Sequence, residues 1–258
     1  MNVLQNLIEL YDHLPMDSTY RSVIRMILLN LEEAAEDNVY DLAELTGSSR
    51  TTIWRMLQML GYEKFTDFHY ALKQAVQHYS YYNRIIPVSR MHDEEDILSE
   101  IQKHMEQAVQ SMKDDLDIDQ LRRLAKRCSQ ANEIYFFFPC RTAAITSFQQ
   151  NLAMAGKDTQ IVCLLPDMLS CADSMAENSL VFCMTLEHAE VLDMTEVFKR
   201  LEAQKAYTVL FTAGESKYDE YVKELVCSDP KSGSPLESLS RFETFLFALS
   251  EIFRKLYI

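Results

Sequence analysis

The sequence predicts an all-α N-terminal domain followed by a three-layer α/β domain with a parallel β-sheet. Apolar residues in the first 79 positions recur at spacings of three and four, which is typical of amphipathic helices, as at Val23, Ile27, Leu28 and Leu31. From about residue 134 the pattern changes to short apolar runs that alternate with helical segments, which is typical of a parallel sheet with crossover helices. A polar stretch beyond Pro87 separates the two patterns and indicates a linker.

The expected division is therefore 1–80 for the helical domain, 81–117 for a linker and a bridging helix, and 118–258 for the α/β domain. With 258 residues, of which 48% are hydrophobic, the chain can bury a core in each of two domains. The bridging helix begins near Asp93 and has a continuous apolar face. We expect it either to join the two domains or to pair with a partner.

Five apolar runs are the strand candidates of the second domain. They are Ile134–Phe138, Thr159–Leu165, Ser179–Thr185, Tyr207–Thr212 and the weaker Leu225–Cys227. Helical segments are predicted at about 118–130, up to Ala155, at 167–176, at 189–204 and at Pro235–Tyr257. A helix between consecutive strands returns the chain to the same sheet in parallel orientation, so this order predicts repeated β/α units.

The formal net charge of −14 excludes a protein that coats nucleic acid non-specifically, because an acidic surface repels phosphate groups. A local DNA-reading face is still compatible with it. The sequence has no apolar run of about 18 residues, and its first residues lack the pattern of a signal peptide. We therefore expect a soluble, cytoplasmic protein without a membrane partner.

The cysteines lie in the second half of the chain, and no two are spaced as CxxC, which argues against a zinc ribbon. We expect no metal site and no cofactor. Several cysteines fall within apolar runs, where a free thiol behaves as a small hydrophobic side chain. The six are Cys128, Cys140, Cys163, Cys171, Cys183 and Cys227.

Residues 39–60 carry the sharpest local pattern, two short helical segments around a glycine. Gly47 permits the positive φ of a tight turn, and Ser49 can cap the second helix. This is the pattern of a helix-turn-helix. The positions predicted to pack inward from the second helix are Ile53, Met56, Leu57 and Leu60.

The outward side of this second helix is rich in hydroxyl and cationic side chains, which suit the base edges and phosphates of a DNA major groove. Residues 46–62 contain no carboxylate, although the chain is acidic almost everywhere else. The alternative is an ordinary helical hairpin with two surface arginines. The predicted DNA-binding residues are Ser49, Arg50, Thr51, Thr52 and Arg55.

The first 80 residues resemble the N-terminal domain of the RpiR/MurR family of bacterial transcription regulators. The matching positions are Asp41-Leu-Ala43, Gly47-Ser-Ser49, Thr52, Arg55, Leu60-Gly-Tyr62, Phe65-Thr-Asp-Phe68 and Ala71-Leu72. The resemblance implies that helix 49–60 is the recognition helix. It also implies a homodimer or homotetramer bound to a palindromic double-stranded DNA operator, with half-sites about one helical turn apart.

The second domain resembles, in the order and lengths of its elements, the sugar-isomerase (SIS) domain with which such regulators sense phosphosugars. The resemblance therefore implies a carbohydrate-related operon and a phosphosugar-like effector. The phosphate-binding loops depart from the family pattern. Where the family has G-x-G-x-S, this chain has Phe137-Phe-Pro-Cys-Arg141, and Pro139 has no N–H to donate. The second family loop aligns with Thr185–Glu190, where Glu187 would repel a phosphate.

An anion could still bind at the start of the helix after Arg141, through its guanidinium, a hydroxyl and free N–H groups. The candidate effector-binding residues are Arg141, Thr142, Thr185 and His188. Two alternatives remain open: a domain that only oligomerises, and a different, uncharged ligand at the carboxyl ends of the strands.

Two further classes of function are alternatives. A SIS-fold sugar-phosphate isomerase would use Glu187 or His188 as its base, but the altered loops lead us to expect no enzyme and no catalytic residues. A protein-interaction module would use the aromatic runs at 79–82, 136–138 and 242–247 as surfaces. For the last two runs, burial in the core is the simpler interpretation.

Overall fold

The structure is a computed structural model that describes residues 3–78, 93–139, 141–185, 193–212, 216–227 and 235–258. An α-helical region precedes an α/β region, as predicted. The first region comprises α1 (Val3–His13), α2 (Thr19–Leu29), α3 (Leu31–Glu36), α4 (Val39–Leu45), α5 (Arg50–Met59) and α6 (Phe65–His78). Then follow α7 (Glu94–Asp115), α8 (Ile118–Gln130), β1 (Glu133–Phe137), α9 (Ala143–Met154), β2 (Asp158–Val162), α10 (Leu165–Ser174), β3 (Leu180–Thr185), α11 (Thr195–Ala203), β4 (Tyr207–Thr212), β5 (Glu224–Cys227) and α12 (Pro235–Tyr257).

Helices α1 to α6 pack around an apolar core that is continuous with the core on one face of the sheet. Helix α1 contacts α2 and α6, α3 packs on α6, and α5 lies against α2 and α4. Each helix contributes one apolar stripe, because its hydrophobic residues recur at the period of the α-helix. Leu7, Ile24, Leu57 and Phe68 are fully buried there.

The sheet has the strand order β2-β1-β3-β4-β5, and all of its pairs are parallel. Alternate residues of each strand point to opposite faces. Phe136 and Phe182 belong to the core beneath α8, α9 and α12, whereas Phe137 and Cys183 belong to the core that includes α10 and α11. Helices therefore cover both faces, and the predicted three-layer architecture is confirmed.

The aromatic run in β1 is part of the core, as expected. Phe136 stacks on Phe182 with 5.3 Å between ring centroids, and Phe138 meets Phe242 edge to face at 5.4 Å. Both Phe136 and Phe138 are fully buried. In α12 the run is split, because Phe242 is buried while Phe247 is 43% exposed. The tyrosine run at 79–82 lies outside the described residues.

The predicted strand at 159–165 is too long by three residues. Strand β2 ends at Val162, and α10 begins at Leu165 with Pro166 in its first turn. Proline has the φ of a helix and lacks the N–H that a first helical turn leaves unpaired, so it favours a helix start at this position. Within the predicted segment 189–204, the described helix is α11.

The domain boundaries proposed from sequence stay predictions, because residues 79–92 lie outside the described part of the chain. Helix α7 packs along α12. Its described side chains form two adjacent stripes. One contains the buried His104 and Ala108, and the other contains exposed apolar residues: Leu98, Ile101, Met105 and Val109.

Among the cysteines whose side chains are described, Cys128, Cys163 and Cys183 are buried and Cys171 is half-buried, and these four form no disulfide. Burial raises the pKa of Cys128 and Cys183 well above the usual range of a thiol, so both stay protonated core residues. In the part of the chain that the structure describes, no cluster of metal-ligating side chains is found. None of the helices in that part has the length and apolar character needed to cross a membrane.

Asp193 anchors the start of α11. Its carboxylate accepts hydrogen bonds from the Thr195 hydroxyl (2.6 Å) and the Thr195 N–H (2.9 Å). Lys217 and the hydroxyl of the buried Tyr218 donate to the same oxygen at 3.1 and 3.2 Å. These contacts, above all the one with the Thr195 hydroxyl, lower the pKa of Asp193. The carboxylate therefore ties α11 to the segment after β4.

Replacing Phe253 by alanine should reduce the free energy of unfolding by about 3–5 kcal/mol, since the side chain is fully buried against Phe148. Phe247→Ala in the same helix is the matched control, because its side chain is 43% exposed, and it should cost under about 1 kcal/mol. Urea unfolding followed by circular dichroism measures both values. Equal losses for the two variants would contradict the placement of α12.

Asp193→Ala should reduce the free energy of unfolding by under about 1 kcal/mol at pH 7, because the side chain is mostly exposed and solvent screens its contacts. The pKa of the folded carboxyl lies below its ordinary value of 3.8, so its stabilising effect is present above that pH and is lost as the pH falls further. The difference between wild type and variant should therefore shrink between pH 5 and pH 2. The exposed Asp12→Ala is the control substitution and should change the free energy of unfolding at pH 7 by under about 0.5 kcal/mol.

Candidate functional site

The helix-turn-helix consists of α4, a glycine turn and α5. The Asn38 side chain caps α4 by accepting from the Tyr40 N–H at 2.8 Å. Gly47 has φ of +60°, the left-handed conformation that the sequence predicted for the turn. The N–H of Ser48 then donates to the Ala43 carbonyl at 2.8 Å, which closes the end of α4.

The predicted cap and inward face of α5 are both present. The Ser49 hydroxyl accepts a hydrogen bond from the Thr52 N–H at 3.1 Å, so the helix begins with a satisfied N-terminus. The four apolar positions predicted to pack inward have no exposed surface: Ile53, Met56, Leu57 and Leu60. The opposite side of α5 is therefore directed away from the helical core.

The structure places Arg50, Thr51 and Arg55 on the exposed side of α5. Thr52 is half-buried, and its hydroxyl lies 2.9 Å from that of Ser49. The Arg50 guanidinium lies over the ring of Tyr40 in α4, with its central carbon 4.4 Å from the ring centroid. A cation held over an aromatic face is oriented before it meets a ligand.

Sequence reasoning missed two aromatic residues of this surface. Tyr40 is 63% exposed and Trp54 is 39% exposed, although both lie within the helix-turn-helix. Their positions could have indicated their exposure, because each residue is next in sequence to a helical residue whose side chain is directed outward. Both side chains widen the surface that α4 and α5 present to a partner.

The start of α9 is already occupied by a carboxylate of the same chain. Thr142 caps the helix with its hydroxyl, 3.4 Å from the Ile145 N–H. The Ala144 N–H donates to a carboxylate oxygen of Glu243, in α12, at 3.3 Å. A helix N-terminus favours negative charge, so Glu243 fills the position at which an anion was expected. Nothing in the sequence near Thr142 could have indicated this residue.

The described contacts of the candidate effector residues are with different neighbours. The Arg141 guanidinium turns toward α1, with Nε 3.6 Å from the Glu9 carboxylate and a terminal nitrogen 3.3 Å from His13 Nε2. Thr185 is buried at the end of β3, and its hydroxyl has no hydrogen bond to another described residue. His188 lies outside the described residues.

A cleft of about 860 Å³ lies between the helical domain and the carboxyl end of β2. Helices α1 and α5 form one wall, and α10 with the end of β2 forms the other. The domains approach closely beside it at Gly61, where a side chain would meet Leu165 and Pro166 at 3.4–3.5 Å. The lining residues are Glu9, Leu10, His13, Leu14, Arg55, Gln58, Met59, Arg141, Gln160, Ile161, Val162, Cys163, Leu164, Pro166, Asp167, Ser170 and Cys171.

Similarity to solved structures extends over the whole chain in one case. The NanR protein of Vibrio vulnificus, solved in complex with ManNAc-6P, aligns over 99% of this chain and 92% of its own, at 19% identity and a TM-score of 0.51. The sugar-isomerase domain of the RpiR transcription factor from Sphaerobacter thermophilus aligns over 61% of this chain and 94% of its own, at 10% identity and a TM-score of 0.42. The likeness to NanR shows a shared fold.

Two further comparisons concern sequence. No curated protein matches the chain. Residues 1–79 match a family described as the helix-turn-helix domain of the rpiR family, and this range includes the whole of α4 and α5. Residues 1–79 are therefore similar to the helix-turn-helix domain of the rpiR family, and in this chain they precede an α/β region with a five-stranded parallel sheet.

Proposed function

We propose that the protein is a transcription regulator that binds double-stranded operator DNA through α5 and acts on a carbohydrate-related bacterial operon. One observation carries the proposal: the exposed side of α5 presents two arginines and no carboxylate, in a chain with a net charge of −14. The rpiR-family match of residues 1–79 supports it. The residues proposed to contact DNA are Ser49, Arg50, Thr51, Thr52 and Arg55.

The two arginines have separate tasks in this proposal. Arg50 is held over Tyr40 at the start of α5, where the helix N-terminus also attracts phosphate. Arg55 lies further along the exposed side and is suited to the paired acceptors of a guanine edge. Thr51 supplies an exposed hydroxyl between them. With few cations in contact, the salt dependence of binding should be modest.

A homodimer is the assembly that we propose, with a homotetramer as the larger alternative. Helix α7 exposes a stripe of apolar side chains next to its buried stripe. The exposed residues are Leu98, Ile101, Met105 and Val109. Contiguous exposed apolar surface favours coverage by another protein surface. A dimer would also present two copies of α5 to a palindromic operator.

The α/β domain is proposed to respond to a small molecule rather than to catalyse a reaction. The NanR structure holds ManNAc-6P, which makes a phosphosugar-like effector one candidate. Glu243 at the start of α9 argues against a phosphate at that position, because two anions there would repel each other. An isomerase would need the same phosphate contact, so the enzyme is the weaker alternative. A domain that only oligomerises is the other.

Arg55→Ala should weaken binding to the DNA upstream of the protein's own gene by tenfold or more, since one good base contact contributes about 1–3 kcal/mol. Fluorescence anisotropy with a labelled duplex measures the affinity, and a stoichiometry of two chains per duplex is expected. Arg254→Ala is the matched control, because that arginine is paired with Glu251 on α12. Unaltered binding by the Arg55 variant would overturn the assignment of α5.

Common sugar phosphates should raise the melting temperature by no more than about 1 °C, because Glu243 occupies the start of α9. A thermal-shift series with fructose 6-phosphate, ribose 5-phosphate and ManNAc-6P tests this, with the unphosphorylated sugars as controls. A rise of several degrees with any phosphate alone would make the phosphosugar effector the better assignment.

A further inference from the structure

We propose that the cleft between the two domains binds a small amphipathic anion, and that this ligand competes with DNA for Arg55. The binding of the anion stands on the cleft alone, whereas the competition rests on the function proposed above. The proposed site differs from the start of α9, which Glu243 already fills.

The position and size of the cleft are those of a ligand site. Its volume of about 860 Å³ falls within the range of about 300–1,000 Å³ that is usual for small-molecule pockets. It lies at a domain interface and includes Val162 and Leu164, which end or follow β2. Open α/β sheets bind ligands outside the carboxyl ends of their strands. Here that edge of the sheet meets the DNA-reading helix.

Two arginines of the cleft have N–H donors that suit an anion. Arg55 has no hydrogen bond or ion pair with another residue of the described ranges. Arg141 has one long ion pair with Glu9, at 3.6 Å, and one contact with His13. A guanidinium has five N–H donors, so most of those on both side chains are available. A carboxylate or a phosphate accepts two such donors side by side.

The carboxylates of the cleft limit where the anion can lie. Glu9 is mostly buried and already shared between Arg141 and His13, at 3.6 and 3.4 Å. Asp167 is exposed in the first turn of α10. A ligand anion avoids repulsion from both only if it lies between the two arginines. The two arginines and the two carboxylates of the lining sum to no net charge, so a singly or doubly charged ligand fits better than a polyanion.

The other side chains that line the cleft include apolar ones, which favour a ligand with an apolar part. Leu10, Met59, Ile161 and Pro166 face the cleft from both walls. Apolar surface of this kind contributes affinity only when it is covered by an apolar group. Burial raises the pKa of the Cys171 thiol, which also lines the cleft.

The shared arginine connects the ligand to DNA binding. Arg55 and Gln58 line the cleft and also lie on the exposed side of α5. A ligand that engages Arg55 removes one of the two arginines from the DNA-reading surface. By linkage, DNA must lower the affinity for the ligand by the same factor.

The first experiment measures binding by the fluorescence of Trp54, the single tryptophan of the chain and the neighbour of Arg55. The full-length protein is titrated with phenyl phosphate, 3-phenylpropionate and the neutral 3-phenylpropanol. We expect saturable binding of at least one anion and none of the alcohol. The two anions distinguish a phosphate from a carboxylate ligand. Glucose 6-phosphate, which lacks an apolar part, should bind at least tenfold more weakly than the preferred anion.

Two variants test whether the anion binds in the cleft. Arg141→Ala should weaken binding at least tenfold, whereas Arg254→Ala, distant in sequence and paired with Glu251, should leave it unchanged. Ser170→Phe fills the cleft from the exposed side of α10 without removing a charge, and it should weaken binding similarly. Circular dichroism verifies that both variants are folded. Absence of saturable anion binding, or equal affinity in the folded variants and wild type, overturns the site.

The second experiment adds the saturating anion to the complex of protein and labelled duplex. The affinity for DNA should fall at least fivefold in wild type and should be unchanged in Ser170→Phe. Equal DNA affinity with and without bound anion overturns the competition. If wild type binds no DNA at low salt, the proposed function fails, while the fluorescence titrations still decide the anion site.

Discussion

The fold depends on the burial of both faces of its parallel sheet. A parallel sheet needs a crossover after each strand, and the crossovers place helices on both sides of it. The strands here are apolar on both faces, with Phe136, Phe182 and Phe211 on one side and Phe137 and Val181 on the other. Because the strands are all parallel, the carboxyl ends of all five lie along one edge of the sheet. The helical domain adjoins that edge, so its position follows from the direction of the strands.

Charge placement decides what that edge can bind. At the start of α9 the chain supplies its own carboxylate, Glu243, and the helix N-terminus is satisfied without a ligand. In the cleft next to it, Arg55 and Arg141 provide donors that the described residues use little. At the start of α9 an anionic group of the chain itself is therefore bound, whereas in the cleft the arginine donors remain available to an external anion. Both sites are within an otherwise acidic chain.

Much of the local structure was predictable because it depends on short-range rules. Gly47 adopts the positive φ that its turn requires, and Ser49 caps α5 through a residue three positions away. The helix Pro235–Tyr257 follows directly from the spacing of its apolar residues. The strand β2 was predicted too long, because an apolar run continues past its end into α10, where Pro166 favours a helix.

The candidate sites were less predictable, since they depend on contacts between distant parts of the chain. Arg141 was expected to face the start of α9, but its contacts are Glu9 and His13, more than 120 residues earlier. Glu243 approaches Ala144 from α12. A single sequence holds no signal for either pair, because each depends on how complete elements dock. The predicted DNA-binding residues needed only one helix, and their exposure was therefore easier to foresee.

Helix α12 has a consequence for the order in which the protein folds during synthesis. It follows all five strands along the chain, yet it supplies Phe253 to the core and Glu243 to the first helix after β1. Helices α8 and α9 cover only part of this face of the sheet, so the rest stays uncovered until α12 has left the ribosome, whereas α1 to α6 can pack much earlier. For that interval the nascent chain carries a finished helical domain beside an open, aromatic sheet surface, which is where a chaperone would be needed.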